Sequence, residues 1–520
     1  ERRARLSRTW GVPPERIEEI ARDPAFIYKL GKAIEAAGVE GEEENKRLLW
    51  LIVVSGQTRD PRSAVPEGPS RSGKNYDVSR VLIFIPEEWY FEFTTATPEA
   101  IKYLPEDFEG TLVIYEAAGV RSQTGALGLR AIGEGRQIVT IYPVRDEETG
   151  RMRLEMHRTG ARNFIATTTA VDIDPELLGR TIIISTDYSK ELTDRVLDRQ
   201  LRDAALKPIL EAAGISPYTE LKPEEVKAFL RSLDLKLPVA VFAPNIGPMF
   251  KHLPPELYVT LREHNKTVLG ITRVLALVRQ RIRPVIEVGD KKVVLALPQD
   301  FLDAWILVGG RIAKTVERMS RRAETVLKLA EELDKDGSGF TVRDITSRTG
   351  MPRSTAARIL DQLLSMGFLS VEKSPGKANV YHFEKKAQTP AQFEMVRLAV
   401  SAFEKGLETL LSKGCSGVQE RGIPLCVRVP PEADLDVWVH PITGRGERLP
   451  VSEILERFVE ALEDTREEAT HTHAHRDIPL SWAPEHPPEN REKGVEEAEG
   501  RKDLTTPDWA GVLASLAGPT

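Results

Sequence analysis

From about residue 60 the chain alternates short apolar runs with stretches of helical spacing. The runs WYFEF (Trp89–Phe93), TLVIY (Thr111–Tyr115), NFIATTT (Asn163–Thr169) and TIIIS (Thr181–Ser185) predict the buried strands of a mostly parallel α/β sheet. Two further runs, QIVTIY (Gln137–Tyr142) and RMRLEMH (Arg151–His157), flank DEETG, whose Gly150 accommodates a positive φ, and predict a β-hairpin. Ahead of the sheet, Asp23-Pro24 predicts a helix start and Gly38 its end. Glu42–Val54 then turns from charged to apolar, as a helix entering the core does.

The second half reads differently. Residues 201–325 are largely helical, broken by a strand-like pair, PVIEV and VVLAL, around Gly289-Asp290. A small separate unit follows. Val342–Thr349 predicts a short helix ending at Gly350, and Ala356, Ile359, Leu360, Leu363 and Leu364 fall at helical spacing after Met351-Pro352. FLSVEK and ANVYHF pair around SPGK as a wing, so residues 326–386 predict a winged helix. Gln392–Ser412 and Val451–Asp464 read as helices, and from 465 the chain turns polar and rich in Glu and Pro, a composition expected to be disordered.

At 520 residues the chain is long enough for three or four domains. A net charge of −7 gives no global sign of nucleic-acid binding, but residues 339–386 carry eight Lys/Arg against four Asp/Glu. No apolar run approaches the ~18–20 residues that span a bilayer, so no membrane partner is expected and the location predicted is cytoplasmic. Cys415 and Cys426 alone suit a reducing compartment and predict buried thiols rather than a zinc site. His471, His473 and His475 lack supporting acids or cysteines at ligand spacing, and no metal is expected there. The first residue is Glu, which reads as a fragment or a processed product.

GPSRSGKN follows the phosphate-loop pattern G-x-x-x-x-G-K-[ST] through its first seven positions. Gly68, Pro69, Ser70, Arg71, Ser72, Gly73, Lys74 and Asn75 are therefore the candidate ATP-binding residues. The glycines let backbone N–H groups curl around phosphates, Lys74 reaches the β/γ oxygens, and the next helix directs its positive end at the anion. Asn75 stands where a Ser or Thr hydroxyl usually meets Mg²⁺; its amide oxygen is a hard ligand and a candidate for that metal. TLVIYEAAG ends a strand in a carboxylate about forty residues later, making Glu116 the candidate for metal and attacking water, with Tyr115 where an Asp is usual. Thr167 and Thr168, ending the FIATTT strand, are placed to bond the γ-phosphate or the water, and Arg180 is a candidate arginine finger.

In this order GPSxSGKxY, IYEAAG, a hairpin before FxxTTT, and DPELxxR resemble the AAA+ helicase module of plasmid, phage and integrative-element primase–helicase proteins, relatives of minichromosome-maintenance-like and superfamily III helicases. The resemblance covers roughly residues 20–385, with Asn75 and Arg71 departing from the commoner GPSSSGKS. It implies an AAA+ P-loop ATPase with a β-hairpin before sensor 1, a helical lid and a C-terminal winged helix. The divisions expected are a helical region at 1–56, the ATPase core at 57–200, a lid or connector at 201–325, the winged helix at 326–386, a helical region at 387–464 and the tail at 465–520.

The activity implied is that of a homohexameric DNA helicase using ATP and Mg²⁺, translocating on single-stranded or forked DNA beside a primase or polymerase. The hairpin would hold the strand through Arg145, Arg151 and Arg153, contacts expected to be sequence-independent and salt-sensitive, although Asp146, Glu147 and Glu148 at the tip also fit a charge-balanced solvated hairpin. The winged helix would present Arg353, Ser354, Thr355 and Arg358, with Lys373 and Lys377 on the wing. Arg262 or Arg273 is the expected lid arginine, while Arg279–Arg283 fits a solvated face. Two rivals remain open: a degenerate ATPase that binds nucleotide as a DNA-binding or loading platform, for which Asn75 argues, and an AAA+ transcription regulator.

Overall fold

The computed structural model describes residues 11–94, 108–115, 123–145 apart from 134 and 137, 151–169, 181–250 apart from 215 and 219, 258–316, 321–365 apart from 336, 369–372, 379–383, 392–415, 425–430, 437–439, 446–448 and 451–473. Helix α1 (Pro14–Arg22) starts on a proline at its first turn and buries Ile17, Ile20 and Ala21. Helix α2 (Phe26–Ala36) starts two residues after the Asp23-Pro24 signal. Asp23 instead closes α1, and its carboxylate accepts the Ala25 N–H at 2.9 Å, turning the chain between the two helices. Helix α3 (Glu43–Ser55) matches the expected charged-to-apolar segment and is buried along most of its length, Lys46, Arg47 and Trp50 included.

Strand β1 (Ser63–Glu67) leads into α4 (Lys74–Leu82), followed by β2 (Tyr90–Phe93), β3 (Gly110–Ile114), α5 (Gln123–Gly133), β4 (Val139–Arg145), β5 (Met152–Arg158), β6 (Ala161–Ala166) and β7 (Thr181–Ser185). Five of these strands form a parallel sheet in the order β2-β3-β6-β1-β7. Successive residues serve opposite faces. Ala64, Val113, Ile165, Ile182 and Ile184 join one apolar cluster with α3 and α4, whereas Val65, Leu112, Ile114, Phe164 and Ile183 join another with Leu129 and Ile132 of α5. A parallel sheet covered on both faces is the arrangement the apolar runs predict. Buried Asn163 ties it to α3, donating to the Ile52 and Arg62 carbonyls, each at 2.7 Å, and accepting the Thr111 hydroxyl at 2.7 Å.

Strand β1 is the element the apolar pattern does not announce. Its sequence is SAVPE, with Pro66 inside a central strand. Proline is normally kept to sheet edges because it has no N–H to donate. Here β1 aligns with β7 along all five residues but with β6 only at Ala64 and Ile165, plus an isolated bridge between Glu67 and Thr168. β4 and β5 form the expected antiparallel ribbon, registered from Val139 opposite Arg158 to Arg145 opposite Met152.

Next come α6 (Lys190–Ala212), α7 (Pro223–Ser232), β8 (Val239–Ala240), α8 (Leu261–Val278), β9 (Val285–Val288), β10 (Lys291–Leu295) and α9 (Pro298–Val316). β9 and β10 pair about Gly289, whose φ is +57°. Arg279 and Arg283 correct the expectation of a solvated face: both are buried. Arg279 pairs with Asp300 at 2.9 Å and Asp303 at 2.5 Å, and Arg283 with Asp300 at 2.7 Å. These ion pairs join the end of α8 to the start of α9, and charges removed from water persist there because they are matched.

The winged helix comprises α10 (Arg321–Leu333), α11 (Val342–Thr349), α12 (Arg353–Ser365), β11 (Leu369–Glu372) and β12 (Val380–Phe383). Thr341 and Asp344 cap α11 reciprocally, and Gly350 at φ +67° ends it. Ile345, Ala356, Ile359, Leu360 and Leu363 share a core with Val326, Phe340 and Tyr381. Asp334 accepts the N–H groups of Gly339 and Phe383, both at 2.7 Å, and so fastens the strands to α10. Beyond lie α13 (Gln392–Thr409), β13 (Leu425–Arg428), β14 (Val437–Val439), β15 (Gly446–Arg448) and α14 (Val451–His473). α14 runs nine residues past the expected boundary at Asp464, with His471 and His473 in its last turn. β13 extends the β9–β10–β8 sheet. On it, Cys426 is exposed rather than buried, and its thiol donates to Glu287 at 3.4 Å.

Candidate phosphate loop and nucleic-acid interface

Residues 68–73 connect the end of β1 to the first turn of α4. Gly73 adopts φ +88° immediately before the helix, and Arg71, which carries a side chain, adopts φ +67°. Such a left-handed residue is costly outside glycine, so the loop's curl is held by its surroundings. One restraint is Thr186, just past β7. Its hydroxyl pairs with that of Ser72 at 2.9 Å, and a side-chain carbon at Gly68 would lie 2.2 Å from it. Gly68 is therefore required by packing.

Lys74 is buried at the head of α4, its ammonium donating to the carbonyls of Gly68 at 2.9 Å and Pro69 at 2.6 Å and to Ser72 at 3.3 Å. The loop thus wraps its own cation, and a phosphate oxygen entering it meets a positive group that burial leaves weakly screened. Pro69, Ser70, Arg71, Gly73 and Asn75 are exposed around it. A strand, two tight glycines, a buried Lys and a helix N-terminus make a donor set that fits a di- or triphosphate. Thr168 sits beside the loop strand, donating its N–H to the Pro66 carbonyl at 3.0 Å, and Thr167 donates to Ile114 at 2.9 Å. The structure therefore brings Thr168 and the 68–75 loop together. Glu116 and Arg180 lie outside the described residues.

Tyr115 takes no carboxylate-like position. Its hydroxyl donates to Glu92 on β2 at 3.0 Å, and burial, reinforced by Glu92, pushes its pKa up. An acid beside the loop is Asp77, in the first turn of α4, which motif reasoning passed over. Burial first, and then the neighbouring Glu42, raise its pKa to about 7, with Lys46 opposing. Glu42 itself has φ +53°, accepts the Asp187 N–H and the Asn45 amide, and is raised chiefly by burial. Neither Arg262, which is exposed, nor Arg273, which pairs with Asp60 at 2.5 Å, reaches this cluster. Arg311 of α9 does, donating to Asn45 at 2.6 Å while Asn45 donates to the Ser185 carbonyl at 3.1 Å.

On the ribbon, Arg153 pairs with Glu155 at 2.7 Å, while Arg145 and Arg151 are exposed. On α12, Arg353, Ser354 and Arg358 are exposed at the N-terminal half, with Thr355 partly so; Ala356, Ile359 and Leu360 face the core. A helix displaying two guanidiniums and a hydroxyl from its first turns is suited to a DNA groove. Lys373 and Lys377 lie outside the described residues, as does His475.

Comparison with curated proteins returns no match. Residues 322–372 match the IclR helix-turn-helix domain, a span that runs from α10 through α11 and α12 to β11. The chain therefore combines a mixed α/β body, built on a parallel sheet, with a C-terminal DNA-binding helix-turn-helix domain of the winged type.

Proposed function

We propose that this chain is an ATP-dependent DNA-binding protein, and in finer terms an AAA+ motor that assembles as a ring and translocates on single-stranded DNA. The observation that carries the reading is Lys74, buried within the 68–73 loop at the mouth of a central parallel strand, in a chain that also bears a DNA-binding domain. The strand order, which sets β6 between β3 and β1, supports it, because the Thr168 end then lies beside the phosphate loop. Gly68, Gly73 and Lys74 would hold the triphosphate, and Asn75 and Glu116 would meet Mg²⁺, which supplies charge neutralisation for phosphoryl transfer.

A second reading, a nucleotide-binding platform or transcription regulator, is favoured by the IclR-type match and by an amide, Asn75, at the metal position. The test measures ATP binding, ATP hydrolysis with and without forked DNA, unwinding, and mass by light scattering, for wild type and Lys74→Ala. DNA-stimulated hydrolysis and unwinding, both lost in Lys74→Ala, support the motor. Nucleotide binding without unwinding supports the platform, and a wild type that binds no nucleotide overturns both. Mixing Glu116→Gln with Arg180→Ala subunits adds a check on assembly: restored hydrolysis supports a shared interface.

A further inference from the structure

The fold does not finish at the winged helix. The apolar core of that unit is drawn wholly from residues 326–383, after which the chain returns to the body. Met395, Ala399 and Phe403 of α13, with Leu455 and Phe458 of α14, join the apolar cluster that also holds α3, α8 and α9. β13 pairs with β9 from Leu425 opposite Val288 to Arg428 opposite Val285. α13 packs on α9, and its Gly406 leaves room for Phe242, whose ring meets that of Phe403 edge-on at 6.3 Å. The winged helix is therefore an insertion, with α9 as the root that precedes it and α13 as the root that follows. Both roots belong to one core, so the freedom of the inserted domain depends on how firmly α9 is set.

From this connection we infer that α9 links the 68–73 loop to the inserted domain, so that nucleotide in the loop raises the affinity of the winged helix for duplex DNA. The inference rests on the nucleotide-binding reading above and adds a regulation to it. Arg311 and Asn45 carry the link as positioning residues. Arg311 lies in the last two turns of α9, its side chain 15% exposed and its Nε donating to the Leu307 carbonyl at 2.8 Å. Its Nη2 donates to the Asn45 side-chain oxygen at 2.6 Å and stands 3.6 Å from Glu44. Asn45 in turn donates to the Ser185 carbonyl at 3.1 Å and to Glu42, whose carboxylate accepts the Asp187 N–H. Thr186 is thus gripped from α3 through both of its chain neighbours, and its hydroxyl is the one that pairs with Ser72. Ligand in the loop changes this pair. Lys74 donates to Ser72 at 3.3 Å, and a phosphate oxygen competes for that ammonium. Once the ammonium turns to phosphate, the Ser72 hydroxyl leans on Thr186 instead, and the Thr186–Asn45–Arg311 contacts tighten on α9. Setting α9 removes motion that the inserted domain would otherwise lose on meeting DNA, so the duplex binds a domain already ordered. A link through two named side chains can be cut at either one.

The test uses the full chain and a fluorescein-labelled duplex of mixed sequence, titrated by anisotropy at one fixed salt concentration with and without AMP-PNP and Mg²⁺. In wild type the analogue is expected to tighten duplex binding roughly tenfold, a coupling of ~1.4 kcal/mol. Saturating duplex should tighten AMP-PNP binding by the same factor, because linkage is reciprocal. Arg311→Met and Asn45→Ala should each bring the factor to within about twofold of one while both ligands still bind. Arg311→Lys keeps the charge beside Glu44 but loses the planar fork, and should give an intermediate factor. A merely structural role for these residues would lower Tm, or both affinities together, and leave the factor at its wild-type value; that result overturns the inference. A wild-type factor near one, with both ligands bound, also overturns it and leaves the nucleotide-binding reading standing. A wild type that binds duplex but no nucleotide overturns that reading and the inference with it.

Discussion

Gly68→Ala is the sharpest probe of the loop, because the structure supplies both the clash and its relief. The added carbon would lie 2.2 Å from the Thr186 hydroxyl and 2.8 Å from that of Ser72. Thr186 is β-branched, almost fully buried, and bonds Ser72 at 2.9 Å and the Glu67 carbonyl at 3.3 Å, so it cannot swing aside without losing partners. Overpacking of this kind costs about 1–3 kcal/mol, and loss of the hydroxyl pair a further ~0.5–1.5 kcal/mol. Expressed in the loop, a cost of ~1.4 kcal/mol weakens nucleotide binding tenfold. Thr186→Ala alone should cost about 1 kcal/mol. In the double variant the obstructing hydroxyl is gone, so the two effects should fall short of their sum by about 1–2 kcal/mol. Urea denaturation and titration of a fluorescent ATP analogue measure the cycle. Additivity within ~0.5 kcal/mol, or a Gly68→Ala protein with unaltered stability and nucleotide affinity, would refute the packing argument.

Arg353→Ala and Arg358→Ala should each weaken duplex DNA binding and reduce the salt slope by about one, without changing ATP affinity; a filter-binding salt series reads both. Asp77 should make stability fall with rising pH. Its folded pKa, raised to about 7, lies above the ordinary 3.8, so between those values the folded chain holds the extra proton and stability is lost as pH climbs. Asp77→Asn should flatten that fall in Tm between pH 5 and 8, and an equally steep decline would remove Asp77 as its source. Arg279→Met strands the buried Asp303 and leaves Asp300 with Arg283 alone, and should cost about 3–5 kcal/mol by urea unfolding, whereas an exposed pair such as Arg457–Glu404 should cost under ~1 kcal/mol when broken.

The elements read most easily from sequence are those whose side chains see one environment. The α11–Gly350–α12 turn falls where a glycine with positive φ and a helical apolar stripe place it. β3, β6 and β7 announce themselves because burial on both faces demands mostly apolar residues, the buried Asn163 of β6 being tolerated because it is hydrogen-bonded. β1 does not, since its small residues and Pro66 carry no strand signature and its place is set by neighbours far along the chain. The phosphate-loop motif is local and therefore visible, yet Thr186, over a hundred residues away, is joined to it only by the sheet. Asp77 and Glu42 were hidden likewise, because nearness across α3 and α4 leaves no mark on spacing. Arg279 and Arg283 were misread for a related reason: a cluster of cations looks solvated until Asp300 and Asp303 fold beneath it.

Pro66 has a mechanical consequence. With no N–H at that position, and with one aligned pair and one isolated bridge joining β1 to β6 against five pairs joining β1 to β7, the sheet is seamed along the β1–β6 line. The seam separates the strand that carries the 68–73 loop from the strand that ends at Thr168, so the two can shear past one another while few backbone bonds lengthen. Amide exchange should record this as faster turnover at Ala166 and Thr168, whose N–H groups face β1, than at Ile184, which faces β1 from the other side, with the difference narrowing when an anion spans the loop and fastens both strands.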